Sequence, residues 1–223
     1  MPDYNGLTPE ESSTLSLKER AYKIIRQNII SCAFPPGFLL NEKDLVEKIG
    51  VSRTPIREAL NLLAQEQMVT IVPQRGSFVT EITPKTINDV FQVREMLEPL
   101  LARLVTPIVE ERDLIEFRDR FMTMTSDDYE AAMVADKEFH NYIVKASNNI
   151  YLINLIDNLY AQNARIRAVS LRMPQRMAQT QGEHLAIIDA MLLRNEAKAA
   201  EAMRRHMVKA RLSAFDFSAD YRQ

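Results

Sequence analysis

Apolar side chains recur at Leu17, Ala21, Ile24, Ile25 and Ile29, a three-and-four spacing that predicts one amphipathic helix from about Leu15 to Ile30. The string FPPG stops it. NEKDLVEKIG predicts a short second helix ended by Gly50, and GVSRTPIREAL opens a third with Ile56, Ala59, Leu60 and Leu63 on one face. VTIVPQRGSFVTEI then alternates β-forming residues around a glycine-containing turn, the signature of a two-stranded hairpin. Three helices and a hairpin in this order predict a winged helix-turn-helix over 15–82.

Beyond Gly76 the only glycine is Gly182, and helical periodicity runs to about Phe215 with breaks near Pro107, Ser126, Asn148, Pro174 and 194–196. Six helices fit these intervals and predict a separate all-α domain, a six-helix bundle, over 83–215. Residues 1–14 are polar and read as a disordered tail, and 216–223 as a C-terminal tail. The chain as a whole is expected to be mainly α.

The 223 residues carry a net charge of −2, so a nucleic-acid surface can only be a local patch. A single cysteine, Cys32, excludes an intramolecular disulfide. The opening MPDYNGLTPEE has neither the basic nor the apolar region of a leader, and no apolar run reaches the length of a membrane span. These features lead to the expectation of a cytoplasmic protein without a membrane partner.

Arg53 and Arg57 flank Pro55 at the front of the third helix, the element whose N-terminal residues meet base edges in a helix-turn-helix. There an arginine can donate two hydrogen bonds to guanine O6 and N7. Ser52 or Thr54 can cap the helix, and Pro55 suits a first turn that has no use for its N–H. From Leu15 to Thr80 nine cations stand against six acids, so Arg57 could equally pair with a neighbouring carboxylate. The strings FPPGFLLNEKDLVEKIGVSRTPIREALNLLAQEQMV and PQRGSFV resemble the DNA-binding domain of the GntR family of bacterial transcriptional regulators. The resemblance implies double-stranded operator DNA as partner, with Lys43 on phosphate, Arg53, Thr54 and Arg57 on bases and backbone, and Gly76 letting the wing approach the minor groove. It places Ser52, Gln74 and Arg75 on the same surface.

All three histidines lie in the helical region. Asp136 and His140 fall one turn apart on the stripe of Ala132, Phe139 and Ile143. His184 shares a face with Ile187, Ile188 and Met191, and His206 one with Ala199, Ala202, Met203 and Ala210. Each histidine could be a hydrogen-bonded core residue, whereas a carboxylate on a core stripe calls for a partner or a metal. VREMLE, DKEFHNYIVKASNN, EHLAIIDAM and AAEAMRRHM resemble the FCD effector-binding domain of the FadR subfamily. That resemblance implies a divalent metal on Asp136, His140, His184 and His206, zinc foremost, with nickel or manganese compatible with the same donors.

Arg94 sits on the stripe of Ile87, Val90, Phe91, Leu97 and Leu101. Its partner is either Glu98, one turn on, or, as the resemblance implies, a small carboxylate effector beside the metal. Asn163 and Arg167 are further candidates for lining that pocket. The expected function is a metal-containing, homodimeric transcriptional regulator whose operator affinity responds to the effector. Three histidines and an aspartate would also suit a metal-dependent enzyme, but no nucleophile motif accompanies them; a purely structural metal is the other alternative.

Overall fold

Ser16 fixes where the first helix begins. Its hydroxyl accepts from Glu19 N at 3.2 Å while the Glu19 carboxylate accepts from Ser16 N at 2.9 Å, a reciprocal capping box. Helix α1 therefore spans Leu17–Ile30 and buries Ala21, Ile24, Ile25 and Ile29, whereas Leu17, expected on the buried face, is exposed. The structure is a computed structural model that describes residues 2–4, 8, 14–125, 129–169 and 174–220.

A two-residue strand β1 (Leu39–Leu40) follows the FPPG turn. Next come α2 (Glu42–Ile49), capped by Asn41 and ended by Gly50 at φ 74°, and α3 (Arg53–Gln65). Ser52 occupies the N-cap position of α3 but makes no side-chain capping bond, so the helix start rests on backbone geometry and on Pro55, its buried third residue. Strands β2 (Val69–Val72) and β3 (Gly76–Val79) form the expected hairpin, and β1 adds to β3, giving an antiparallel sheet of order β1-β3-β2. The pairing Leu39↔Phe78 and Leu40↔Ser77 completes a third strand that the sequence did not announce, because two residues are too few to show alternation. Ile25, Ile29, Phe34, Leu40, Ile49, Ile56, Leu60, Leu63 and Met68 make the core beneath.

Helices α4 (Pro84–Val105), α5 (Glu111–Thr123), α6 (Tyr129–Ala146), α7 (Ile150–Val169), α8 (Pro174–Leu192) and α9 (Glu196–Asp220) follow, with breaks where the periodicity had them. Helix α9 packs along α4 and α8, α5 lies on α8, and α6 meets α4, α5 and α8. Phe121, Phe139, Ile143, Ile187, Ile188, Met191, Met203 and Met207 fill the middle. Helix α9 continues beyond 215, so 216–220 extend a helix rather than a tail, and 221–223 lie outside the described residues. Most of the expected N-terminal tail also lies outside them, but Asp3 N donates to Asn28 Oδ1 at 2.6 Å and Tyr4 packs edge-on against Phe34.

The chain forms two units, Met1–Thr83 with Ala161–Val169, and Pro84–Tyr160 with Ser170–Gln223. Within the first, the end of α7 is bound by buried polar groups: Gln162 Nε2 donates to the Glu66 carbonyl at 3.0 Å, and Arg165 donates to Gln162 Oε1 at 2.7 Å and to the Thr80 carbonyl. Among the described residues no helix is long and apolar enough to cross a membrane.

Candidate metal centre and nucleic-acid interface

The turn between α2 and α3 sets up the polar surface of the first unit. Arg53 is the first residue of α3 and Arg57 lies four residues on; with Ser52, Thr54 and Lys43 they are exposed, while Ile56, Ala59 and Leu60 hold the opposite face in the core. Arg57 Nε reaches both Glu42 oxygens, at 3.0 and 2.9 Å, so the pairing with a neighbouring carboxylate is present. Its side chain is 63% exposed, which leaves this pair weak and exchangeable. At the wing Gln74, Arg75 and Gly76 are exposed, with Gln74 at φ 62° and Gly76 at φ 113°. A Cβ on Gly76 would also press to 3.1 Å from Leu39 Cδ1, so strand packing as well as backbone angle calls for glycine there.

In the second unit three helices bring one carboxylate and three imidazoles together. Asp136 and His140 come from α6, His184 from α8 and His206 from α9; all four are buried, and their donor atoms lie within 4.8 Å of one another. His140 Nε2 is 3.2 Å from His206 Nε2 and 3.3 Å from His184 Nε2, and His184 Nε2 is 3.3 Å from Asp136 Oδ1. Phe121 stacks on His184 and Phe139 meets it edge-on, an apolar wall against water.

Carboxylates govern the outer nitrogens. His140 Nδ1 is 2.6 Å from Glu98 Oε2, and His206 Nδ1 is 2.8 Å from Glu183 Oε2. An ionised carboxylate only accepts, so the proton sits on the His206 Nδ1 that hydrogen-bonds Glu183. His140 Nδ1 and Glu98 Oε2 miss hydrogen-bond alignment, but at 2.6 Å they stand closer than an unprotonated pair could, so the proton lies on that Nδ1 too and both Nε2 atoms turn a lone pair inward. Lone pairs converging at 3.2–3.3 Å repel unless a cation or an extra proton lies among them. Ligands about 2.0–2.1 Å from one tetrahedral zinc would stand about 3.3–3.4 Å apart, which the three closest pairs match, while His140 Nε2 and Asp136 Oδ1 are 3.9 Å apart and would have to draw in slightly around such an ion. Burial lowers the His206 pKa against the opposing pull of Glu183, which keeps that ring in the neutral, ligating form at neutral pH.

Arg94 and Glu98, on α4, are 4% and 2% exposed, and Arg94 Nε donates to Glu98 Oε1 at 2.6 Å. Burial disfavours the Glu98 carboxylate, but the Arg94 guanidinium and then His140 outweigh it and hold its pKa at about 2. Arg94 is wedged between two rings, its Cζ 5.4 Å from the Phe91 centroid and 5.5 Å from that of Tyr160. Burial pushes the Tyr160 hydroxyl well above its ordinary pKa, so it stays protonated beside the guanidinium.

Asn163 and Arg167 lie on the same helix as Tyr160, α7. Both belong to the stretch of α7 in the first unit, where Asn163 Oδ1 is buried with no hydrogen-bond partner among the described residues. Glu183 and the second oxygen of Glu98 escaped the sequence reading because their partners lie on other helices, which periodicity along one helix cannot reveal.

Residues 17–79 match the gntR family of bacterial regulatory proteins, and residues 89–209 match the FCD domain. The chain belongs to the GntR family. It carries the FCD domain of the FadR-like architecture and is a DNA-binding transcriptional regulator, not an enzyme. It is 27% identical over 201 residues to the HTH-type transcriptional repressor RspR of Escherichia coli (strain K12), with 87% of each chain covered. Its fold is similar to that of a GntR regulator from Rhodococcus sp. RHA1, at a TM-score of 0.76 and 22% identity over 91% of this chain and 99% of that one. The helical unit is similar in fold to the zinc-bound FCD domain of TM0439, at a TM-score of 0.53 and 18% identity over 60% of this chain and 95% of that one.

Proposed function

We propose that this regulator binds a two-fold operator as a homodimer in the cytoplasm, and that a small carboxylate bound beside a divalent metal in the helical unit changes its operator affinity. The winged helix-turn-helix over 15–82 reads DNA through Lys43, Ser52, Arg53, Thr54, Arg57, Gln74, Arg75 and Gly76. The metal, zinc foremost, sits in the domain over 83–215 on Asp136, His140, His184 and His206. The observation that carries this reading is the convergence of three inward Nε2 atoms and one carboxylate, two of those imidazoles backed by carboxylates of their own. When bound, the metal supplies a Lewis-acidic centre for an anionic oxygen. Arg94 is suited to the other end of the effector: among the described residues its one hydrogen bond leaves from Nε, and a guanidinium presents its Nη donors to a carboxylate as a fork.

The dimer reading rests on α4 and the turn after it. Met96, Leu100, Leu104 and Ile108 recur every four residues, each more than half exposed, an apolar stripe suited to the same stripe of a second copy.

Elemental analysis of protein purified without chelator tests the metal. One equivalent per chain is expected, lost in His184→Ala, and free zinc at a hundredfold excess over Kd should stabilise the protein by about 2.7 kcal/mol. Calorimetry of carboxylic acids with and without operator then tests the sensor. Coupling is reciprocal, so an effector whose affinity is unchanged by operator would leave the metal purely structural.

A further inference from the structure

Glu98 faces two donors that cannot be served in the same way by any neutral side chain. Oε1 accepts from Arg94 Nε at 2.6 Å, and Oε2 lies 2.6 Å from His140 Nδ1, a contact that misses hydrogen-bond alignment but is too short to exist without a proton between the two atoms. We propose that Glu98 is the positioning residue that locks His140 in its Nδ1–H tautomer, because only a group accepting on both oxygens can satisfy the trapped guanidinium and keep the His140 Nε2 lone pair turned toward Asp136, His184 and His206. The inference rests on the metal reading above and assigns a tautomer that exists with or without the metal.

Arg94 only donates, and it is held between the rings of Phe91 and Tyr160, so it cannot turn away from residue 98. A glutamine at position 98 has one oxygen and one NH2. Its oxygen goes to the permanent cation, and its NH2 then points at His140 Nδ1. That nitrogen must become an acceptor, so the proton moves to Nε2, the atom that faces the cluster. Glu183 differs. Its oxygens serve His206 Nδ1 at 2.8 Å and Lys209 Nζ at 3.4 Å, but the lysine side chain is 58% exposed and can turn to water. A glutamine there can keep its oxygen on His206.

The test uses the full chain, zinc as probe, chelator competition for affinity, and long-range 1H–15N NMR of the metal-free protein for tautomers. Wild-type His140 should be protonated on Nδ1. Glu98→Gln should show His140 protonated on Nε2 and bind zinc ten- to a hundredfold more weakly, the range found for a lost outer partner of a ligating histidine. In Arg94→Met/Glu98→Gln the amide oxygen is released to His140, so the Nδ1–H tautomer should return and zinc affinity recover to within a few-fold of wild type. Glu183→Gln should lose only a few-fold.

Wild-type protein with Nε2–H at His140, Glu98→Gln with wild-type tautomer and affinity, or a double variant no better than the single one would each overturn the proposal. Should Glu98→Gln fail to fold, the wild-type tautomer and the charge-neutral double variant still decide it. Wild-type protein that binds no zinc yet shows the expected tautomers would sink the metal reading alone.

Discussion

At the scale of single residues, the free protein commits its charges before any ligand arrives. Arg57 is paired with Glu42, so in the proposed DNA contact a phosphate or base displaces that carboxylate. Glu42→Gln removes that competitor and a negative charge from the interface, and should tighten operator binding several-fold in fluorescence-anisotropy titrations, less so as salt rises. Arg53→Ala should instead weaken binding by about 1–3 kcal/mol and relax preference at one base position per half-site, seen by competition with single-base operator variants. The Arg94–Glu98 pair is the opposite case, sealed from water. Arg94→Met leaves a buried carboxylate without its cation and should destabilise the metal-free protein by about 3–5 kcal/mol in urea denaturation, with Arg94→Met/Glu98→Gln costing less.

At the scale of elements, ends and turns decide more than helix interiors. The α2–α3 turn depends on Gly50, whose φ of 74° belongs to the left-handed region, and a Cβ added there would meet no atom within 4 Å. The cost of replacing it is therefore conformational rather than steric. Gly50→Ala should destabilise the first unit by about 1 kcal/mol and Gly50→Asn by less, because asparagine tolerates that region, as thermal melts would show. Helix α3, the proposed DNA-reading helix, starts without a side-chain cap, leaving the Ser52 hydroxyl uncommitted to capping. Helix α7 has a different division of labour. Tyr160 lies over Arg94 in the second unit, while Gln162 and Arg165 are hydrogen-bonded within the first.

At the scale of the whole molecule, the proposed two-fold operator needs a stable pairing of copies, and the exposed apolar stripe on α4 is the surface proposed for it. Leu100→Glu places a charge in the middle of that stripe without touching the core, since Leu100 is 62% exposed. The variant should run as a monomer in light scattering at concentrations where wild type is a dimer. Its melting profile at low concentration should be retained, and its affinity for a two-site operator should fall on the order of a hundredfold through loss of linked binding. A dimeric Leu100→Glu protein would move the interface elsewhere.

Sequence alone determined the order of elements, because burial of one face imposes a 3.6-residue or two-residue period that can be counted along the chain. Thus the α1–α3 helices, the wing hairpin and all six later helices were legible, as were the inward positions of Asp136, His140, His184 and His206. Family resemblance supplied the roles that periodicity leaves open. Tertiary structure decided everything that depends on two elements meeting. It paired Arg57 with Glu42 across the α2–α3 turn, gave Glu98 a second partner on α6, set Glu183 against His206 on α9, and drew the end of α7, with Asn163 and Arg167, into the first unit. The physical reason is the same in each case: periodicity reports which face of an element is buried, whereas the partner of a buried polar atom is fixed only when another chain segment packs to within hydrogen-bond distance.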